Sequence, residues 1–168
     1  MNDKNNFIKT PFKGVKMKFP EVSGSNLEFR EFNIPYDLDG QYNIVIIPFW
    51  RSHQVLVDQW ATFLNTLTKM YPDLEYYETP TLSIGYKIMR FMIDGGMRVG
   101  IQNKRIRERT ITLYINKRKF RNKLDIPTER TISLFLINRE GDILWRSEGE
   151  FSRNKAGELE KVLFELNA

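Results

Sequence analysis

A chain of 168 residues with 41% hydrophobic and 13% aromatic side chains is long enough to bury a core and too apolar for a disordered tail. It has no cysteine and a single histidine, His53, which excludes disulfides, thiolate nucleophiles and Cys-ligated zinc or iron–sulfur centres. The net charge of +5 is uneven: ten Lys/Arg face one acid, Glu108, between Arg98 and Lys123, while the rest of the chain carries 16 basic and 20 acidic residues.

No metal site or cofactor is expected from this composition. No apolar run approaches the roughly 20 residues of a membrane-spanning helix. Met1 to Asn6 lacks the basic-then-apolar order of a secretory signal, so a cytoplasmic location is expected.

Residues 1–18 read as a basic N-terminal arm carrying Lys4, Lys9, Lys13, Lys16 and Lys18. Residues 19–168 read as a single domain. Short strands with Leu27, Phe29 and Phe32 surround a turn cluster at Ser23-Gly24-Ser25-Asn26, and Asp37-Leu38-Asp39-Gly40 is a second turn. Tyr42 to Phe49 is nearly all apolar, the mark of a strand covered on both faces, and Pro48 marks where its pairing ends. From His53 to Met70, Leu56, Trp60, Phe63, Leu64 and Leu67 recur at helical spacing, and Tyr71-Pro72-Asp73 stops the helix. A second strand follows over Leu74 to Glu78.

Ser83 to Ile93 reads as a shorter helix whose stripe of Ile84, Ile88, Phe91 and Met92 packs into the core, with an interfacial helix as the alternative. Asp94-Gly95-Gly96 breaks it. These glycines lack the Gly-Lys-Ser/Thr ending of a phosphate loop and follow a helix, so no nucleotide motif is matched. A basic stretch (Lys104 to Arg107), a strand from Thr110 to Ile115 and a basic helix from Lys117 to Lys123 come next. Thr131 to Asn138 and Ile143 to Arg146 form a hairpin about Arg139-Glu140-Gly141-Asp142. Ser152 caps a last helix with a stripe of Leu159, Val162, Leu163 and Leu166. Strands alternating with helices predict an α/β fold with a helix-flanked sheet.

Several segments resemble the thioredoxin superfamily, most nearly its peroxiredoxin and thiol-disulfide-carrier branches. The strand ending in Phe49-Trp50 and running into a helix is similar to the strand-Phe-Trp that precedes the Cys-x-x-Cys turn. Leu134 to Ile143 resembles the Thr-Phe-Leu-Ile-Asp-x-x-Gly-x-Ile hairpin. The resemblance implies a central mixed sheet flanked by helices, with an N-terminal β-hairpin and an inserted helical segment. It sets Arg51 and Gln54 roughly where the two cysteines sit, and Ile132-Ser133 in place of the cis-Pro-Thr pair. Within the superfamily, Val57-Asp58-Gln59-Trp60, Ile132 to Ile137 and Ile143-Leu144-Trp145-Arg146-Ser147-Glu148-Gly149 are similar to the mitochondrial ATP synthase assembly-factor family. That implies a chaperone-like or assembly role without thiol chemistry.

Two candidate surfaces follow. The first is the former redox turn, with Trp50, Arg51, Ser52, His53 and Gln54 on one side and Ile132 and Ser133 on the other. A helix N-terminus there offers free N–H groups to a protein partner or an anion, or Ser52 merely caps the helix. Ser52 beside His53 is a poor nucleophile–base pair, because catalytic partners meet in space with a third group orienting the base. A cofactor-free enzyme or small-molecule binder is the alternative use of this turn. The second surface is the basic set Arg98, Lys104, Arg105, Arg107, Arg109, Lys117, Arg118, Lys119, Arg121 and Lys123. Nucleic acid, an anionic membrane or an acidic protein would fit it, although Tyr114 and Phe120 are few aromatics for base stacking. A protein partner is the leading expectation.

Overall fold

The computed structural model describes residues 17–168, so most of the basic arm lies outside the described residues. The chain enters through Lys18, whose ammonium pairs with Asp142 at 3.0 Å. Strands β1 (Val22–Asn26) and β2 (Glu31–Ile34) form the expected N-terminal hairpin. The Ser23–Asn26 cluster is strand, however, and the turn falls at Leu27 to Arg30, with Phe29 at φ 66°. Gly24 is needed there for proximity: a Cβ would stand 2.6 Å from the Thr112 carbonyl and 2.7 Å from Leu113 Cδ2 on the neighbouring strand.

Strand β3 (Tyr42–Ile47) stops before Pro48, as its missing N–H dictates. Its alternating side chains serve two cores. Ile44 and Ile46 pack with Trp60, Leu64 and Leu67 of helix α1 (Gln54–Met70) and with Leu159 and Leu163 of the C-terminal helix. Val45 and Ile47 face Phe19, Phe32, Ile111, Leu113 and Phe120 on the other side. Strand β4 (Leu74–Glu78) pairs parallel with β3, and β7 (Ser133–Asn138) pairs antiparallel on its other edge. Strand β8 (Ile143–Glu148) returns from β7, and helix α5 (Arg153–Asn167) starts at Ser152, whose side chain accepts from the Lys155 N–H as expected.

A three-residue strand, β5 (Thr81–Ser83), was too short to be read from pattern; it pairs parallel with β6 (Ile111–Ile115). The sheets run β2-β1-β6-β5 and β4-β3-β7-β8, and a parallel bridge, Glu78 to Thr110, joins them.

The β5-to-β6 crossover departs most from expectation. It consists of a 3-10 helix (Ile84–Met89), then α2 (Arg90–Gly100), then α3 (Lys104–Arg109). Helix α2 runs through Asp94-Gly95-Gly96 instead of breaking there. Its one buried residue is Asp94, which accepts the Tyr114 hydroxyl at 2.7 Å. The apolar stripe expected in the core is exposed. Helix α4 (Lys117–Lys123) follows β6, capped by Asn116. No helix among the described residues is long and apolar enough to cross a membrane.

Candidate functional site at the turn between β3 and α1

Beyond Ile47 the chain passes through buried Phe49 to Trp50, which is 57% exposed, then through a 3-10 turn (Arg51–His53) into α1. No side-chain cap closes either helix start, so Ser52 does not cap α1. His53 does the closing instead. Its ring is buried, with Nδ1 accepting the Phe49 N–H at 3.2 Å and a hydrogen bond to the Arg130 backbone. Burial lowers its pKa, against a smaller upward pull from that Arg130 contact. The imidazole is therefore a neutral clamp between the turn and the loop leading to β7. With both sides of the ring engaged by backbone, it is not a base for Ser52.

Ile132 and Ser133 are buried as well, Ser133 pairing with Ile47 in the β3–β7 ladder. The cis peptide of the described chain joins Ile34 to Pro35, not Ile132 to Ser133. Three of the seven residues expected at the contact surface thus lie inside. Their sequence environment explains it: His53 begins the inward face of α1, and Ile132-Ser133 opens an apolar strand. Trp50, Arg51, Ser52 and Gln54 stay accessible. Among the described residues the Arg51 and Ser52 side chains have neither hydrogen-bond nor ion-pair partner.

Two groups complete the turn that sequence reasoning missed. Glu78 ends β4 and is buried, its carboxyl hydrogen-bonded by Gln54. Burial pushes it up to about 7, the Gln54 bond opposes this, and the charge of Asp58 adds to the rise. Gln54 also donates to Asp58 Oδ1 at 3.0 Å, one helical turn on. A readable signal existed, since Leu74, Tyr76 and Glu78 share one parity in β4. The second group is an ion-pair cluster. Lys117 lies 4.8 Å above the Trp50 ring centroid and 2.6 Å from Glu129, which also pairs with Arg121 at 3.1 Å. Burial alone would raise the Glu129 pKa, but Lys117 and Arg121 outweigh it and hold the carboxyl below its ordinary range.

The basic set is less open than its sequence suggests. Arg98 and Arg107 both pair with Glu28, Arg109 with Glu75, and Lys104 with Glu108. With Lys117 and Arg121, six of the ten are paired with acids, four in number, since Glu28 and Glu129 each hold two cations. Arg105, Arg118, Lys119 and Lys123 are exposed without an ion pair among the described residues, the last three lining a shallow cleft of about 400 Å³ with Asn116 and Asn122. Tyr114 and Phe120 are buried and offer no stacking face. No group of three or more potential metal ligands gathers among the described residues.

The architecture matches solved structures. A thiol-disulfide oxidoreductase from Bacteroides fragilis superposes with a TM-score of 0.55 at 12% identity, covering 86% of this chain and 98% of that one. The fold is thioredoxin-like. The thioredoxin domain of a thiol-disulfide oxidoreductase from Bacteroides vulgatus gives 0.51 at 15% identity, covering 89% and 98%. A thioredoxin-like protein from Aeropyrum pernix gives 0.51 at 13%, covering 86% and 89%. No protein-family model matches the sequence, and no curated protein does. At these identities the likeness speaks for the thioredoxin-like fold alone. The absence of cysteine makes this version of the fold incapable of thiol exchange.

Proposed function

We propose that this chain is a redox-inactive thioredoxin-like domain that works by binding a protein partner, in an assembly or chaperone-like role. The observation that carries this reading is Trp50, a large aromatic half out of the surface with a lysine over its ring, beside Arg51 and Ser52, which are exposed and without a side-chain partner among the described residues. Exposed Trp and Arg at a rigid turn are the side chains that dominate protein interfaces. His53 and Glu78 lie buried beneath it and hold the turn in shape. The segments resembling ATP synthase assembly factors support the assembly role.

Site-specific photo-crosslinking in cells tests this. A photoreactive residue at Ser52 is expected to give a discrete heavier product, weakened several-fold by Trp50→Ala. The reading fails if Ser52 gives nothing beyond what a probe at exposed Lys161 on α5 gives.

A further inference from the structure

The crossover 84–106 is built inside out. Ile88 is 94% exposed and Val99 82%, and Ile84, Tyr86, Phe91 and Met92 are more than half exposed. Helix α2 turns its polar residues toward the protein instead. Asp94 accepts from Tyr114, Arg90 pairs with Glu31 at 3.3 Å, and Arg98 pairs with Glu28 and donates to the Leu27 carbonyl. Gly95, Gly96 and Gly100 have no neighbouring atom where a Cβ would stand. Such a helix gains little from propensity or from its own packing, and its apolar side faces outward. A cluster of large apolar side chains of this kind marks an interaction surface.

Charge selects what covers it. Lys87 and Arg105 are exposed on the crossover without an ion pair among the described residues, and Lys104 has only the exposed Glu108 at 3.7 Å. The 3-10 helix and α4 leave the same end of the sheet, because β5 and β6 are neighbouring parallel strands. Arg118, Lys119 and Lys123 of α4, without an ion pair among the described residues, therefore stand at the end where the apolar run begins. Two copies of this chain meeting face to face would set these like charges against each other. An anionic bilayer satisfies both halves at once, with apolar side chains in the acyl boundary and cations among the headgroup phosphates. At eleven residues α2 is far too short to span a membrane.

We propose that the crossover 84–106 docks this chain in the plane of an anionic phospholipid membrane. This stands independently of the Trp50 reading. The test is co-sedimentation of the purified full chain with vesicles of phosphatidylserine and phosphatidylcholine, set beside vesicles of phosphatidylcholine alone. Binding to the anionic vesicles only is expected, weakening as salt rises. Ile88→Asp with Phe91→Asp should reduce it about tenfold or more, and Lys87→Glu with Arg105→Glu should reduce it several-fold. Both pairs are exposed, so an unchanged melting temperature shows that the variants fold. In a Phe91→Trp variant the emission of the added indole should shift to the blue on anionic vesicles. The proposal is overturned by absence of binding, by binding indifferent to the Asp pair, or by concentration-dependent self-association that the Asp pair abolishes.

Discussion

His53 and Glu78 flank the same turn and titrate in opposite senses. Burial depresses the histidine below its ordinary 6.5, so its contribution to stability is present above that pH and is lost as pH falls through the lower folded value. Glu78 is raised from 4.5 to about 7, so its contribution is full below 4.5 and is lost as pH rises through 7. Replacing Glu78 by Gln should leave low-pH stability nearly unchanged and raise stability at pH 8 by up to about 3 kcal/mol, read by urea unfolding at both pH values. A Glu78→Gln protein that loses stability at pH 8 but not at low pH would show instead that the carboxylate is charged and paired in the fold. His53→Ala leaves the Phe49 N–H and the Arg130 backbone without their partner and opens a cavity. The expected cost is about 2–4 kcal/mol in the same unfolding measurement.

Helix α2 hangs from the rest of the protein by side-chain tethers. Tyr114→Phe removes the donor to buried Asp94 and should destabilise by about 1–3 kcal/mol, with the amides of Phe91 to Gly100 exchanging faster with solvent. Gly96→Ala meets open space and should gain about 0.5–1 kcal/mol in helix propensity, seen as slower exchange of those amides. The same helix shows what a pattern can and cannot convey. Ile84, Ile88, Phe91 and Met92 repeat with the period of a helix whether the stripe faces a core or the outside. The anchors that decide, Glu28, Glu31 and Tyr114, lie far away along the chain. By contrast β3, α1, the β7–β8 hairpin and the Ser152 cap were readable because local sequence alone specifies them. The turn after β3 was readable as a place. That Trp50 points out while His53 points in depends on Arg130 and Lys117, which only the folded chain brings near.

Across the molecule, stability is expected to be steeply graded. The β3 amides Ile44 to Ile47 sit in the middle of a ladder between two apolar cores and should exchange only with global unfolding, whereas those of 84–100 should open at far lower cost. Native-state hydrogen exchange checks this, and equal protection in the two regions would contradict it. Neither core contains a residue from 84–100. The apolar side chains of that crossover therefore add nothing to either core, and polar tethers such as that of Asp94 to Tyr114 hold it in place. Substitutions at its exposed apolar positions, such as Ile88 and Phe91, can change the outer surface at little cost to folding, whereas those at the tethers Arg90, Asp94 and Arg98 cannot, so surface and scaffold are free to diverge at different rates.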